Sequence, residues 1–138
     1  MTTPPRTDLS WLLEELASGL PDAESAVLLS TDGLLMGRSA GLDQTEAERF
    51  AAMASAFHSL ARSAGSHFKA GGVCQTVVEL DRAVLFITAA GANACLALLA
   101  TESANMGMVA FEMNRTVQRV GSHLAVDSRP HPNGAPQP

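Results

Sequence analysis

A long helical pattern with two neighbouring apolar stripes occupies the middle of this chain, from about Thr45 to Ser66. One stripe is bulky and comprises Phe50, Met53, Phe57, Leu60 and Ala64, whereas the stripe beside it is small and comprises Ala47, Ala51, Ala54, His58 and Ala61. Two apolar sides predict two packing partners. Bulky residues suit the space over a sheet, and small residues allow a second helix to come close. The high helix propensity of alanine is the other explanation of the small stripe.

The segment before this helix predicts one helix and a hairpin. Asp8 can cap a first helix from Leu9 to about Gly19, where Gly19 and Pro21 end it. Residues 25–30 form a short apolar run that predicts a buried strand. The Asp-Gly pair at Asp32 predicts a tight turn into a returning strand over 34–39.

The segment after the helix predicts an antiparallel meander of strands over 73–80, 83–89 and 94–100, with a tight turn at Asp81 and Arg82. The last two strands are apolar almost throughout, which favours central positions. The strand over 73–80 has no proline, lysine or obvious bulge, so as an edge strand it would be open to pairing. Asn105 can cap a last helix that runs to about Leu124.

The resulting order, αββαβββα, predicts an α/β fold of the α+β type, with one five-stranded antiparallel sheet and helices packed on it. The 138 residues suit one domain. Six of the seven prolines lie before residue 6 or after residue 127. We therefore expect a folded domain over 8–126, a disordered segment over 1–7 and a disordered proline-rich tail over 127–138.

The net charge of −5 is unevenly distributed: residues 1–48 carry −7 and residues 49–138 carry +2. An acidic chain without a basic stripe argues against nucleic-acid binding. The acidic half is explained by solubility, or by steering of a basic protein partner. The start of the chain has no secretory leader pattern, and no apolar run is long enough for membrane insertion. These features favour a cytoplasmic location.

Recognisable catalytic or cofactor-binding motifs are absent from the sequence. It contains no phosphate-binding loop, no dinucleotide fingerprint and no metal-ligand spacing, so we expect no cofactor, metal site or catalytic group. Cys74 and Cys95 lie in apolar runs and are expected to be buried thiols. Trp11, on the outer face of the first helix, is either a partner anchor or an ordinary surface residue. Arg82, in the hairpin turn, is the most projecting arginine and a candidate for reaching into a partner's nucleotide site, although a plain turn residue is the favoured explanation.

Five strings, in this order and spacing, resemble the Roadblock family, which is related to dynein light chains, and most closely its actinobacterial branch encoded in conservon operons. They are Trp11-Leu-Leu-Glu-Glu-Leu16, Ala26-Val-Leu-Leu-Ser-Thr-Asp-Gly-Leu-Leu35, Leu85-Phe-Ile-Thr-Ala-Ala-Gly91, Ala94-Cys-Leu-Ala97 and Met108-Val-Ala-Phe-Glu-Met113. The resemblance implies the profilin/longin-like Roadblock architecture.

The resemblance also implies a homodimer in which the central helices pack on each other and the third strands pair. It implies a small Ras-like GTPase as partner, with a sensor kinase-like protein and another small protein in the same system. Some family members accelerate GTP hydrolysis, and others are scaffolds. Our leading hypothesis is a non-enzymatic dimeric adaptor or regulator of such a GTPase. We predict that its dimer seam contains Ala47, Ala51, Ala54, His58, Ala61, Gln75 and Val77.

A small-molecule sensing module of the PAS or GAF type is the main rival, because such folds also combine a five-stranded antiparallel sheet with helices. That function needs an internal cavity with polar anchors. The strands offer few inward polar candidates beyond Thr76 and Thr88, so a filled core is favoured. An enzyme is the third hypothesis, and no acid, base and nucleophile can be assembled for it from the sequence.

Overall fold

A computed structural model of the protein describes residues 9–128, with side chains described as far as His123. The elements are α1 (Ser10–Ser18), β1 (Ala23–Ser30), β2 (Leu35–Arg38), α2 (Gln44–His67), β3 (Thr76–Glu79), β4 (Ala83–Ala89), β5 (Ala94–Thr101) and α3 (Met106–Ser128). This succession confirms the predicted order αββαβββα.

The five strands form one antiparallel sheet in the order β2-β1-β5-β4-β3. β5 lies at its centre between β1 and β4, and the long β1–β5 register runs from Ala23 opposite Ala100 to Ser30 opposite Ala94. The strands predicted to be central, β4 and β5, are both interior. β2 and β3 are the edges, so β3 has the exposed position that its sequence leaves unprotected.

Helices cover both faces of the sheet, which gives three layers. Leu12 and Leu16 of α1 and Met113 of α3 pack with Phe86 and Leu98 on one face. On the other face α2 packs over the alternate residues of the same strands, which include Val27, Leu29, Leu85, Ile87 and Ala97. Successive side chains of a strand point to opposite faces, so strands covered on both sides are apolar throughout.

Short polar contacts define where the helices and the hairpin begin. The Asp43 carboxylate accepts a hydrogen bond of 2.8 Å from the backbone N–H of Glu46, which caps α2. The Asn105 side chain accepts one of 3.0 Å from the N–H of Met108, as predicted for the last helix. Gly33 turns the first hairpin with a φ of 96°, a conformation that glycine adopts without strain.

Several boundaries differ from the sequence prediction. α3 continues to Ser128, past the expected end near Leu124 and into the first two residues of the tail that was predicted to be disordered. β3 is limited to Thr76–Glu79, because the connection after α2 folds back on the helix and the Ala70 N–H donates to the Gly65 carbonyl oxygen at 2.8 Å. The Asp8 cap and the predictions for segments 1–7 and 129–138 lie outside the described residues.

Candidate interaction surface

The small stripe of α2 packs on the chain's own sheet. Ala47, Ala51 and Ala54 are fully buried and His58 is almost so, in contact with the core on that face of the sheet. The prediction that these four residues form a seam with a second subunit is therefore wrong. Ala61, at the end of the stripe, is half-buried.

The reason lies in the side chains of the sheet. Val27, Leu29, Leu85 and Ile87 project from the strands under α2 and already fill the layer between sheet and helix. Because the interior is close-packed, a helix over such a surface needs small residues at the contact. Alanines on α2 meet this need, and Met53, Phe57 and Leu60 of the bulky stripe are turned away from the sheet, whereas Phe50 packs against the core.

The outward bulky residues form an exposed apolar ridge, here called the α2 ridge and defined as Phe50, Met53, Phe57 and Leu60. Met53 is 56 % exposed, Phe57 37 % and Leu60 69 %, while Phe50 is half-buried at the base. Contiguous exposed apolar surface on a soluble domain commonly marks an interaction site. The sequence carried this signal, since the two stripes were visible in it, but the faces were assigned the wrong way round.

A groove runs between the α2 ridge and the β3 side of the sheet. It encloses about 410 Å³ and is almost entirely apolar. Its lining comprises Ser25, Leu42, Glu46, Phe50, Met53, Phe57, Val78, Leu80, Leu85 and Leu99. The groove therefore joins the exposed face of α2 to the neighbourhood of the free sheet edge.

β3 extends this apolar surface to the edge of the sheet. It pairs with β4 on one side, and the described residues place no strand on the other. Leu80, which lines the groove, and Val77, which lies on the opposite face of β3, are both exposed at this edge. Gln75, just before the strand, is half-buried, and its amide nitrogen donates to the Thr88 hydroxyl over 3.4 Å. Of the two predicted seam residues in this region, Val77 is thus the more accessible.

Two buried polar atoms among the described residues, one on α2 and one on β3, lack a partner. In the described part of the chain, His58 Nδ1 and Thr76 Oγ1 are buried without a hydrogen-bond partner. Burial, and secondarily the nearby Arg62 guanidinium, lowers the pKa of His58. Burial also raises the pKa of the Cys95 thiol to about 11, with Arg62 acting weakly in the opposite direction. These groups are uncharged packing residues at neutral pH, not a poised acid and nucleophile.

The chemistry of the described residues is limited. Across residues 9–123 no cluster of His, Cys, Asp or Glu side chains is placed to hold a metal ion. Cys95 is buried as expected, but Cys74 is exposed in the connection before β3, so the prediction that both thiols are buried is wrong for Cys74. None of the described helices combines the length and the apolar character needed to cross a membrane.

The two residues singled out for partner binding lie apart from the α2 ridge. Trp11 is exposed on α1, which covers the opposite face of the sheet. Arg82 is exposed in the turn between β3 and β4, where the Leu80 N–H donates to the Ala83 carbonyl oxygen. Arg82 therefore adjoins the free edge, whereas Trp11 belongs to a second surface.

Comparison with known proteins identifies what this arrangement resembles. The family model described as Roadblock/LC7 domain matches residues 9–100. A Roadblock/LC7 domain structure from Streptomyces avermitilis is 45 % identical, covers 85 % of this chain and 98 % of its own, and superposes with a TM-score of 0.81. A second such structure from the same species is 35 % identical, covers 80 % and 96 %, and has a TM-score of 0.67.

The fold is also similar to that of profilin. Schizosaccharomyces pombe profilin is 13 % identical, covers 80 % of this chain and 97 % of its own, and has a TM-score of 0.56. At that identity the likeness concerns the fold alone, and it agrees with the profilin-like architecture expected from the sequence. Among curated protein sequences none is significantly similar to this chain.

Proposed function

Since this chain belongs to the Roadblock/LC7 domain family, we propose that it is a homodimeric, non-enzymatic adaptor or regulator of a small Ras-like GTPase in a bacterial signalling system. The observation that carries the proposal is the α2 ridge beside the unpaired edge of β3. The proposed dimer uses the elements expected from the family resemblance, α2 and β3, but a different face of α2.

The helix contact of the proposed dimer is formed by the α2 ridge. Met53, Phe57 and Leu60 are partly exposed in the isolated chain, and burying a fully exposed side chain of this kind contributes about 1.5–3 kcal/mol, so each of the three contributes a fraction of that. The groove beside the ridge has room for bulky side chains of a second copy. A bulky ridge set against a groove on an identical molecule satisfies the self-complementarity that a two-fold interface requires.

The strand contact is formed by β3. Pairing with β3 of a second copy would satisfy the outward backbone groups of Thr76–Glu79 and join two five-stranded sheets into one. Leu80 would then lie at the junction beside the groove of the α2 ridge, and Val77 would lie at the junction on the opposite face of the sheet, on the side of Phe86. In this arrangement the Gln75 amide keeps its hydrogen bond to the Thr88 hydroxyl of β4, which holds the residue before β3 against its neighbouring strand.

The GTPase partner is proposed on the family resemblance, together with the lack of an assembled catalytic group among the described residues. The exposed Arg82 beside the free edge is available to a partner. A sensor kinase-like protein of the same system is proposed as a second contact. We place the protein in the cytoplasm, where such a GTPase acts.

The dimer is tested by sedimentation of the full chain at micromolar concentration. We expect a particle of twice the 14.4 kDa chain mass. The double change Phe57→Glu and Leu60→Glu should yield monomers, because two charges cannot be buried unpaired in an apolar seam. Leu34→Glu, an exposed leucine in the β1–β2 turn, is the matched control and should remain dimeric. Monomeric wild-type protein would refute the dimer.

The regulatory role requires a separate measurement. A small Ras-like GTPase captured from the source cells with the full chain is purified, and its GTP turnover is measured with wild-type protein, the ridge variant and buffer. Faster turnover with wild-type protein identifies a hydrolysis activator, and stable binding without acceleration identifies a scaffold. Failure of every small GTPase of the source cells to bind would exclude both roles.

A small-molecule sensor is the second candidate, because a groove of about 410 Å³ lies within the size range of ligand pockets. Its walls are nearly all apolar, so a ligand there would be held without the polar anchors that give specificity. Native mass spectrometry of the freshly purified protein separates the two functions, since a co-purifying small molecule would favour the sensor.

A further inference from the structure

The surface formed by α1 and α3 carries an aromatic cluster that the dimer does not use. Trp11 is 44 % exposed, and its ring centroid lies 5.3 Å from that of His123 in an edge-to-face arrangement. The Arg119 guanidinium lies over the indole at 5.4 Å from its centroid and also pairs with Glu15. We call this cluster of Trp11, Glu15, Arg119 and His123 the Trp11 patch.

The neighbours of Trp11 hold its ring in one orientation. The carbonyl oxygen of Arg119 can only accept a hydrogen bond, so the contact of 2.9 Å with His123 Nδ1 places a proton on that nitrogen. Arg119 is tied to α1 by the Glu15 carboxylate. The indole is therefore a flat, pre-oriented platform, and an ordered platform loses little conformational entropy when a ligand binds.

The Trp11 patch also offers a free donor. In the described part of the chain the indole N–H of Trp11 donates to no protein acceptor. The part of the indole that Arg119 and His123 leave exposed, beside an unused N–H, fits an extended proline-containing segment. In polyproline II conformation such a segment presents pyrrolidine rings for stacking, and its carbonyl oxygens are not bonded within the segment.

The chain itself contains such a segment. Residues 129–138 include Pro130, Pro132, Pro136 and Pro138 and no acidic residue, and Arg129 carries a positive charge. Within the Trp11 patch the Glu15 carboxylate is paired with Arg119, so the patch has little net charge and a segment with a single positive charge is compatible with it.

The segment is also within reach of the patch. It follows α3, the helix that carries His123, and Ser128 lies five positions after His123, which is about 7.5 Å at 1.5 Å per residue. Ten residues in polyproline II conformation span about 31 Å at 3.1 Å each. The segment can therefore reverse after α3 and still cross the indole.

We propose that the Trp11 patch is a docking site for proline-containing extended segments and that residues 129–138 of the same chain occupy it. The intramolecular contact covers Trp11 and competes with any proline-containing partner. It is independent of the proposed dimer, because α1 and α3 lie on the opposite face of the sheet from α2.

Trp11 fluorescence tests this proposal directly, because the chain has one tryptophan and no tyrosine. Acrylamide quenching is measured on the full chain and on the variant Pro130→Ser, Pro132→Ser, Pro136→Ser and Pro138→Ser. If the segment covers about half of the exposed indole surface, we expect quenching to rise about twofold in the variant. The matched control is Pro4→Ser with Pro5→Ser, which should quench like wild type.

Each other result counts against the proposal. Equal quenching of wild type and the four-proline variant would refute it, and increased quenching only in the Pro4 and Pro5 variant would assign the patch to the preceding segment instead.

A docked segment of the same chain has a local concentration that dilution does not change, so protection of Trp11 from the quencher should persist over about a hundredfold dilution. Protection that dilutes away would indicate a segment from a second copy. Nuclear Overhauser contacts between the indole and proline ring protons in wild type give an independent second readout.

Discussion

The Ser55 hydroxyl of α2 donates a hydrogen bond of 3.0 Å to the backbone carbonyl oxygen of Thr31 in the β1–β2 turn. The same turn holds Gly33, where an added Cβ atom would lie 3.5 Å from the Ser55 hydroxyl oxygen. Turn and helix are therefore in van der Waals contact, and the hydrogen bond connects the first hairpin to α2 across 24 residues.

Loss of this contact should destabilise the fold moderately. In Ser55→Ala the Thr31 carbonyl loses its partner, and a typical intramolecular hydrogen bond contributes about 1 kcal/mol to the free energy of unfolding. Urea denaturation measures the difference. Ser59→Ala, an exposed position on the same helix, is the control and should stay within about 0.5 kcal/mol of wild type. An equal effect of both changes would show that the contact contributes nothing.

Ala54→Arg should unfold the chain instead of separating two subunits. Ala54 is fully buried against the sheet, and a charge placed there without a partner costs about 3 kcal/mol or more. Ala52→Arg, on the exposed side of the same helix, should leave the circular dichroism spectrum and the unfolding midpoint nearly unchanged. A folded Ala54→Arg monomer would contradict the observed packing of α2.

The stability of the fold should fall as the pH drops below the ordinary imidazole pKa of 6.5 because of His58. Its pKa is lowered in the folded state, so between the two pKa values the unfolded chain binds more protons and the free energy of unfolding decreases with decreasing pH. His58→Gln removes this dependence.

The measurement is the difference between the two unfolding curves across this range. Parallel pH profiles for wild type and His58→Gln would show that His58 is solvated in the folded state.

Gly65 should not tolerate a side chain. A Cβ atom there would lie 2.2 Å from the backbone carbonyl oxygen of Gly71, so the connection between α2 and β3 would have to move. This clash outweighs the gain of about 1 kcal/mol that alanine brings to a helix interior, and we expect a net loss of about 1–2 kcal/mol. In α3 a Cβ atom at Gly121 meets no atom within 4 Å. Gly121→Ala should therefore raise the thermal midpoint, and opposite shifts of the two variants would confirm the close approach at Gly65.

Local sequence patterns were sufficient for the elements and their order. The helix cap at Asn105 and the turn at Gly33 were predicted because each depends on residues only a few positions apart. The cap at Asp43 is equally local, but the sequence prediction began the helix at about Thr45 and did not include it. The contact between Trp11 and His123 joins residues more than a hundred positions apart, so no local sequence pattern predicts it. The same holds for Gly65, whose neighbour Gly71 belongs to a loop that folds back.

The sequence by itself determined that α2 has two apolar stripes and which residues belong to each, because helical periodicity depends only on spacing. Only the tertiary structure decided which stripe meets the sheet. That choice depends on the volume that Val27, Leu29, Leu85 and Ile87 already occupy between the layers, and these residues come from β1 and β4, on either side of α2 in the chain. With that space filled, Ala51 and Ala54 fit against the sheet, and Met53 and Leu60 are left for a partner.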